Sequence, residues 1–112
     1  MNDERSNGFV VTGAPGMSHV AVHGDVDRSE AETVRLALLG FVAITGYRVE
    51  LDLTGVGFFS RTATHAVAEA WDESMLHGSD FAVVGLSPTA RCAFERTGLD
   101  RLLHTALAEP IT

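Results

Sequence analysis

The residues with the most chemistry in this chain lie in one run, Asp52-Leu53-Thr54-Gly55-Val56-Gly57-Phe58-Phe59-Ser60-Arg61-Thr62-Ala63-Thr64. Ser60, Thr62 and Thr64 bring hydroxyl groups together with the cation of Arg61 where a strand passes through a short loop into a helix. A helix start has free N–H groups and the positive end of the helix dipole, so an anion held there is stabilised. A hydroxyl in that position can be presented to a partner.

Other residue sets read less productively. Ser60, His65 and Asp72 are the types of a hydrolase triad, but His65 and Asp72 are too far apart along one helix to bond directly. The Gly-x-Ser-x-Gly elbow is also missing. His19 and His23 would be metal ligands on a helix, yet a strand separates them by ~13 Å. Gly55 and Gly57, like Gly13 and Gly16, fit no phosphate-loop or dinucleotide pattern and read as turn glycines. The lone Cys92, beside Ala93 and Phe94, reads as a packing residue, with a redox sensor as the sharper alternative. Trp71 reads as core, and Phe59 either as core or as exposed beside a partner. Asp25 and Asp27 are candidates for binding, Asp27 also for capping. The chain contains no cofactor or metal motif, and no enzyme's catalytic set is complete.

Regular elements must hold these residues. Phe9-Val10-Val11 and Ser18 to His23 read as strands joined at Gly13-Ala14-Pro15-Gly16, with Val20 and Val22 on one face and His19, Ala21 and His23 on the other. Ser29 and Glu32 have capping-box spacing, with Asp27 a second cap, so a helix is expected to about Ala43, burying Val34, Ala37, Leu38 and Phe41. Gly46 ends that unit. Val49, Leu51 and Leu53 alternate along a central strand. From Thr62 to His77, Ala63, Ala66, Val67, Ala70, Trp71 and Met75 keep helical spacing up to Gly78. Phe81 to Leu86 reads as a strand covered on both faces. Ser87-Pro88 opens a helix that ends at Gly98. The expectation is an α/β fold: a mixed, mostly parallel sheet of four to five strands with helices packed on it, in the order β-β-α-β-α-β-α and with a last strand near Leu103 to Leu107. Functional loops would lie at Gly24 to Arg28, Thr54 to Arg61 and Leu86 to Pro88.

The 112 residues suit one domain, expected over 8–108, with tails at 1–7 and 109–112. A net charge of −7 without a basic run argues against nucleic acid. Apolar runs too short to span a bilayer, no signal peptide and a single cysteine point to the cytoplasm.

Three segments in order resemble the anti-sigma factor antagonists, whose fold is the STAS domain. Gly24-Asp25-Val26-Asp27-Arg28-Ser29 is similar to the family's Gly-acidic-apolar-Asp stretch before a helix. Leu51-Asp52-Leu53-Thr54 with Phe58 resembles the strand that delivers the phosphorylation loop, and Leu86-Ser87-Pro88 through Phe94-Glu95-Arg96-Thr97-Gly98-Leu99 resembles the family's fourth strand and third helix. The resemblance implies a binding protein, not an enzyme, that docks on an anti-sigma factor of the GHKL ATPase and kinase type and so frees a sigma factor. That partner would supply ATP and Mg²⁺, and this chain would be a monomer or weak homodimer with no nucleic-acid or membrane contact. The family's loop reads Asp-Ser-Ser/Thr-Gly, phosphorylated on the second hydroxyl; here Ser60, Arg61, Thr62 and Ala63 correspond. Thr62 is thereby the phosphoacceptor candidate. Partner contacts are expected from Asp25, Asp27, Ser29, Ser60, Arg61, Thr62, Ala63, Thr64 and His65. Ala63 in the glycine's place adds a methyl group where a partner could approach. The competing readings are a stand-alone STAS subunit of an ABC-type lipid transporter and a degenerate STAS ligand-binding module.

Overall fold

Residues 8–14, 17–44 and 48–100 are described by the computed structural model. Four strands, β1 (Gly8–Ala14), β2 (Met17–Val26), β3 (Arg48–Phe59) and β4 (Asp80–Leu86), form one sheet in the order β1-β2-β3-β4. Three helices follow the parallel strands in turn: α1 (Arg28–Val42), α2 (Arg61–Leu76) and α3 (Pro88–Thr97). β1 pairs antiparallel with β2, whereas β2–β3 and β3–β4 are parallel. Each parallel pair needs a crossover, which α1 and α2 supply. The expected strand near Leu103 to Leu107, both tails, Gly46 and part of the first turn lie outside the described residues.

Alternation decides which face of the sheet is inside. Val20 and Val22 of β2 and Val49, Leu51 and Leu53 of β3 are buried, and they join Ala31, Val34, Leu38 and Val42 of α1, Ala63, Val67 and Ala70 of α2 and Phe94 of α3 in one core. The other face is polar. There the His19 ring nitrogens lie 3.7 Å from Glu50 Oε1 and 3.7 Å from Asp52 Oδ2, and Arg48 donates to Glu50 at 3.1 Å and to Asp80 at 3.3 Å. His19 therefore stands between two carboxylates on the solvent side of β2 and β3.

Several expectations need correction. β4 is the last strand of the sheet among the described residues; Phe81, Ala82 and Val83 are buried in succession, as a strand covered on both faces requires, but Val84 beyond them is exposed. In α1 the buried stripe ends on Val42, while Ala37 and Phe41 are half-buried. In α2 Met75 points to solvent and Ser74 is buried, its hydroxyl donating to Trp71 O at 2.7 Å. Trp71 is half-buried against the core. Cys92 is exposed, because Ala90, Ala93 and Phe94 occupy the inward side of α3.

The larger correction concerns the loops. β2 continues through Asp25 to Val26 and β3 through Thr54 to Phe59, so the expected loops Gly24 to Arg28 and Thr54 to Arg61 are mostly strand. Gly55 and Gly57 are consequently not turn glycines. A Cβ on Gly55 would stand 3.1 Å from the Cβ of His23, and one on Gly57 would stand 2.5 Å from Asp25 Oδ1. Register shifts between Ala21 and His23 and between Gly24 and Asp25 show β3 bulging twice here, which is where strands use glycine for close backbone approach.

Candidate functional site

The carboxyl ends of β2 and β3 each run into a helix with a single capping residue between them. After β3 that residue is Ser60, with extended φ −74° and ψ 165°. Its N–H donates to Val26 O at 2.9 Å, fastening the start of α2 to the end of β2. Its Oγ accepts from Ala63 N at 3.0 Å, and its carbonyl accepts from Thr64 N at 3.0 Å and from Thr64 Oγ1 at 3.0 Å. One residue thus satisfies several groups of the first turn, as an N-cap should.

Phe59 fixes the approach to this turn. It is buried, and its ring stacks on Phe94 with centroids 6.2 Å apart and planes at 11°. Phe58, one residue earlier, points the other way and is 46% exposed. Of the two readings of Phe59 the core one holds, and the aromatic exposed at this edge is Phe58. Strand alternation carried the signal: of two adjacent aromatics only one can face the core.

The same division holds through the first turn of α2. Arg61, Thr62 and His65 are exposed, while Ala63 and Thr64 are fully buried. The Ala63 methyl group and the Thr64 side chain face the core, so neither offers a contact surface to a partner. Burial of Thr64 is tolerated because its hydroxyl donates one turn back along the helix. Thr62 Oγ1 has no hydrogen bond among the described residues, and Arg61 has no ion pair there. No ion pair or hydrogen bond links Ser60, His65 and Asp72 in a triad.

After β2, Asp27 is the cap of α1. Its Oδ1 accepts from Ser29 N at 2.9 Å, Ser29 Oγ at 2.9 Å and Glu30 N at 3.3 Å, while Asp27 N donates to Glu30 Oε1 at 3.2 Å. The capping box is hence Asp27 with Glu30, rather than Ser29 with Glu32. The Glu30 side chain, then the Ser29 hydroxyl, then the two backbone N–H groups hold the Asp27 carboxyl down at about 2. Asp27 and Ser29 are both exposed, and their polar groups are already engaged with each other. Asp25, also exposed, stands opposite Phe58 in the register of β2 and β3.

The Val26–Ser60 bond joins the two capped helix starts, so Asp25, Asp27 and Ser29 share with Ser60, Arg61, Thr62 and Phe58 the carboxyl-terminal edge of the two inner strands. Across the body of the helices Arg35 donates to Glu69 at 2.9 Å and to Glu32 at 3.0 Å, linking α1 and α2 below this edge. Among the described residues no three His, Cys, Asp or Glu side chains are grouped to hold a metal, and no helix is long and apolar enough to cross a membrane. The edge presents a hydroxyl, a cation, carboxylates and one aromatic.

The family model described as STAS domain matches residues 9–110. No curated protein sequence matches the chain. Among solved structures, an anti-sigma factor antagonist from Mycobacterium paratuberculosis superposes with a TM-score of 0.75 at 25% identity, over 96% of this chain and 97% of that one. An anti-sigma-factor antagonist (STAS) domain protein from Planctomyces limnophilus gives a TM-score of 0.70 at 19% identity, covering 83% and 84%. The unphosphorylated form of the anti-sigma factor antagonist SpoIIAA gives 0.69 at 17% identity, covering 85% and 84%.

Proposed function

The chain belongs to the STAS domain family, and from that premise we propose that it is an anti-sigma factor antagonist, which binds an ATP-binding anti-sigma factor of the GHKL kinase type and thereby frees a sigma factor. Thr62 is the acceptor of a regulatory phosphate. The observation that carries this reading is the first turn of α2, where Thr62 and Arg61 are exposed on a helix whose start is held rigidly by Ser60. The likeness to antagonists over nearly the whole chain supports the general role.

The switch is electrostatic. The unmodified edge docks through Asp25, Ser29, Arg61, Thr62 and His65, with Phe58 added as an apolar contact. A phosphate on Thr62 adds roughly −1.5 to −2 charges and three strong acceptors at the centre of that surface. A partner shaped for the neutral hydroxyl then loses the contact. The chain acts here as ligand and phosphoryl acceptor, and the partner brings the nucleotide.

Capture of partners from an extract of the native cell tests this, using the wild-type chain beside Thr62→Glu and Asp25→Ala. An anti-sigma factor of the GHKL type, recovered by the wild type and weakened by both substitutions, is the expected result. Thr62→Glu should fold normally, since an acid in the first helical turn suits the dipole. Recovery of a transporter ATPase would overturn the function in favour of the transport reading. An anti-sigma factor that ignores both substitutions would overturn the site.

A further inference from the structure

Arg61 stands where α2 itself gives no reason for a cation. It occupies the first helical position after the Ser60 cap, and the positive end of a helix dipole disfavours a positive charge. Arg35 and Arg48 are each bonded to two carboxylates, whereas Arg61 is exposed and makes no ion pair among the described residues; Arg28 shares that state after the Asp27 cap of α1, but the hydroxyl beside it, Ser29 Oγ, is already bonded to Asp27. Its sequence neighbour Thr62 is also exposed, with a hydroxyl not engaged by the fold, unlike those of Ser60 and Thr64 on either side. Arg61 is next to Thr62 in the chain, and its long, uncommitted side chain can turn toward a phosphoryl group carried on Thr62 Oγ1.

We propose that Arg61 binds the phosphoryl group during its transfer to Thr62, so that this chain supplies to its partner's reaction a cation that stabilises the transferring phosphate. The inference rests on Thr62 being the phosphoacceptor. In the step, Thr62 Oγ1 forms a bond to the γ-phosphorus of the partner's ATP as the bond from that phosphorus to the β–γ bridging oxygen breaks. ADP leaves, and the hydroxyl proton passes to a carboxylate of the partner. Charge spreads over the equatorial oxygens in this transition state, and a planar guanidinium matches them with paired donors. After transfer the same fork holds the phosphothreonine dianion against the first turn of α2.

The test is a single-turnover measurement in the preformed complex of this chain with its ATP-loaded kinase partner, for wild type, Arg61→Gln and Arg61→Lys. The dissociation constant with the ADP-loaded partner is measured in parallel. Arg61→Gln should slow transfer by about 10-fold or more. Its dissociation constant in the ADP state should rise by less than the transfer rate falls, because the docking contact is lost in both states and the contact with the moving phosphate only during transfer. Arg61→Lys keeps the charge without the fork and should fall between the two. The ³¹P titration midpoint of phosphorylated Thr62 should lie lower in the wild type than in Arg61→Gln, a readout that a structural role would not move. Equal transfer rates in wild type and Arg61→Gln, or a loss confined to the dissociation constant, would overturn the proposal and leave Arg61 a docking contact at most. A wild-type complex that forms but transfers no phosphate removes the acceptor reading, and this proposal with it. That failure shows in the wild type alone, whereas failure of the Arg61 role shows only in the comparison.

Discussion

Replacing Phe59 with Leu tests whether the strand leading to the site is anchored as the packing indicates. The ring is 1% exposed and stacks on Phe94 at 6.2 Å and 11°, inside the range where offset aromatic pairs gain energy beyond their burial. Full truncation to Ala should cost ~3–5 kcal/mol. That is a large part of the roughly 5–15 kcal/mol available to a domain, so Leu is the better probe. Leu keeps much of the aliphatic contact but loses the stack and leaves a small void, giving an expected loss of about 1–2 kcal/mol. The double-mutant cycle with Phe94→Leu isolates the ring pair and should return a coupling of about 0.5–1.5 kcal/mol. Urea unfolding of the four proteins, with constant m-values, is the assay. Phe58→Ala serves as the contrast: that side chain is 46% exposed and should cost less than about 1 kcal/mol. A larger loss at Phe58 than at Phe59, or a coupling below about 0.3 kcal/mol, would refute this assignment of the two faces.

Ser60→Ala removes the acceptor for Ala63 N–H and should lower stability by ~1 kcal/mol, whereas Ser60→Asp keeps the cap and should match or exceed the wild type in the same urea assay. The acid limb of stability should follow Asp27 and Asp52. Both carboxyls lie below the ordinary aspartate value, Asp27 at about 2 through Glu30, Ser29 and their N–H groups, and Asp52 through the N–H and hydroxyl of Thr54. A depressed carboxylate stabilises the fold fully above its unfolded value, and this contribution is lost as pH falls through the folded one. Thermal melts should therefore decline as pH drops from ~4 toward ~2, and the decline should be shallower in Asp27→Asn. An unchanged slope in that variant would show that the Asp27 cap contributes nothing to the acid response.

The elements are legible in the sequence where one residue has one physical role. Ser87-Pro88 opens α3 and Gly98, at φ 77°, closes it, because a proline in the first turn and a left-handed glycine after the last leave few alternatives. Legibility fails where one residue type serves two purposes. Gly55 and Gly57 read as turn residues, yet they lie in β3 because their missing side chains let β2 come close; nothing local separates the two uses. The cap of α1 is ambiguous for a similar reason. Asp27 with Glu30 and Ser29 with Glu32 share the same spacing, and only the end of β2 at Val26 selects the first. Thr64 reads as another available hydroxyl because the side chain's direction, set by helical phase once α2 starts at Arg61, is what turns it inward.

That phase also explains how the loop can depart from the family's acid-hydroxyl-hydroxyl-glycine pattern without loss of the fold. Phe59, Ser60, Ala63 and Thr64 are the positions that build the turn, and each substitution there keeps the structural role. Ser60 caps as an acid would. Ala63 places its methyl group in the core, not in a partner's path, and favours the helix more than glycine does. Arg61 and Thr62 are outside this set, since both are exposed and neither is bonded within the described fold. Changes at the first set are therefore read by stability and changes at the second by the partner. Arg61, the departure with no structural compensation to explain it, is where this chain should differ in function from relatives that carry a second hydroxyl.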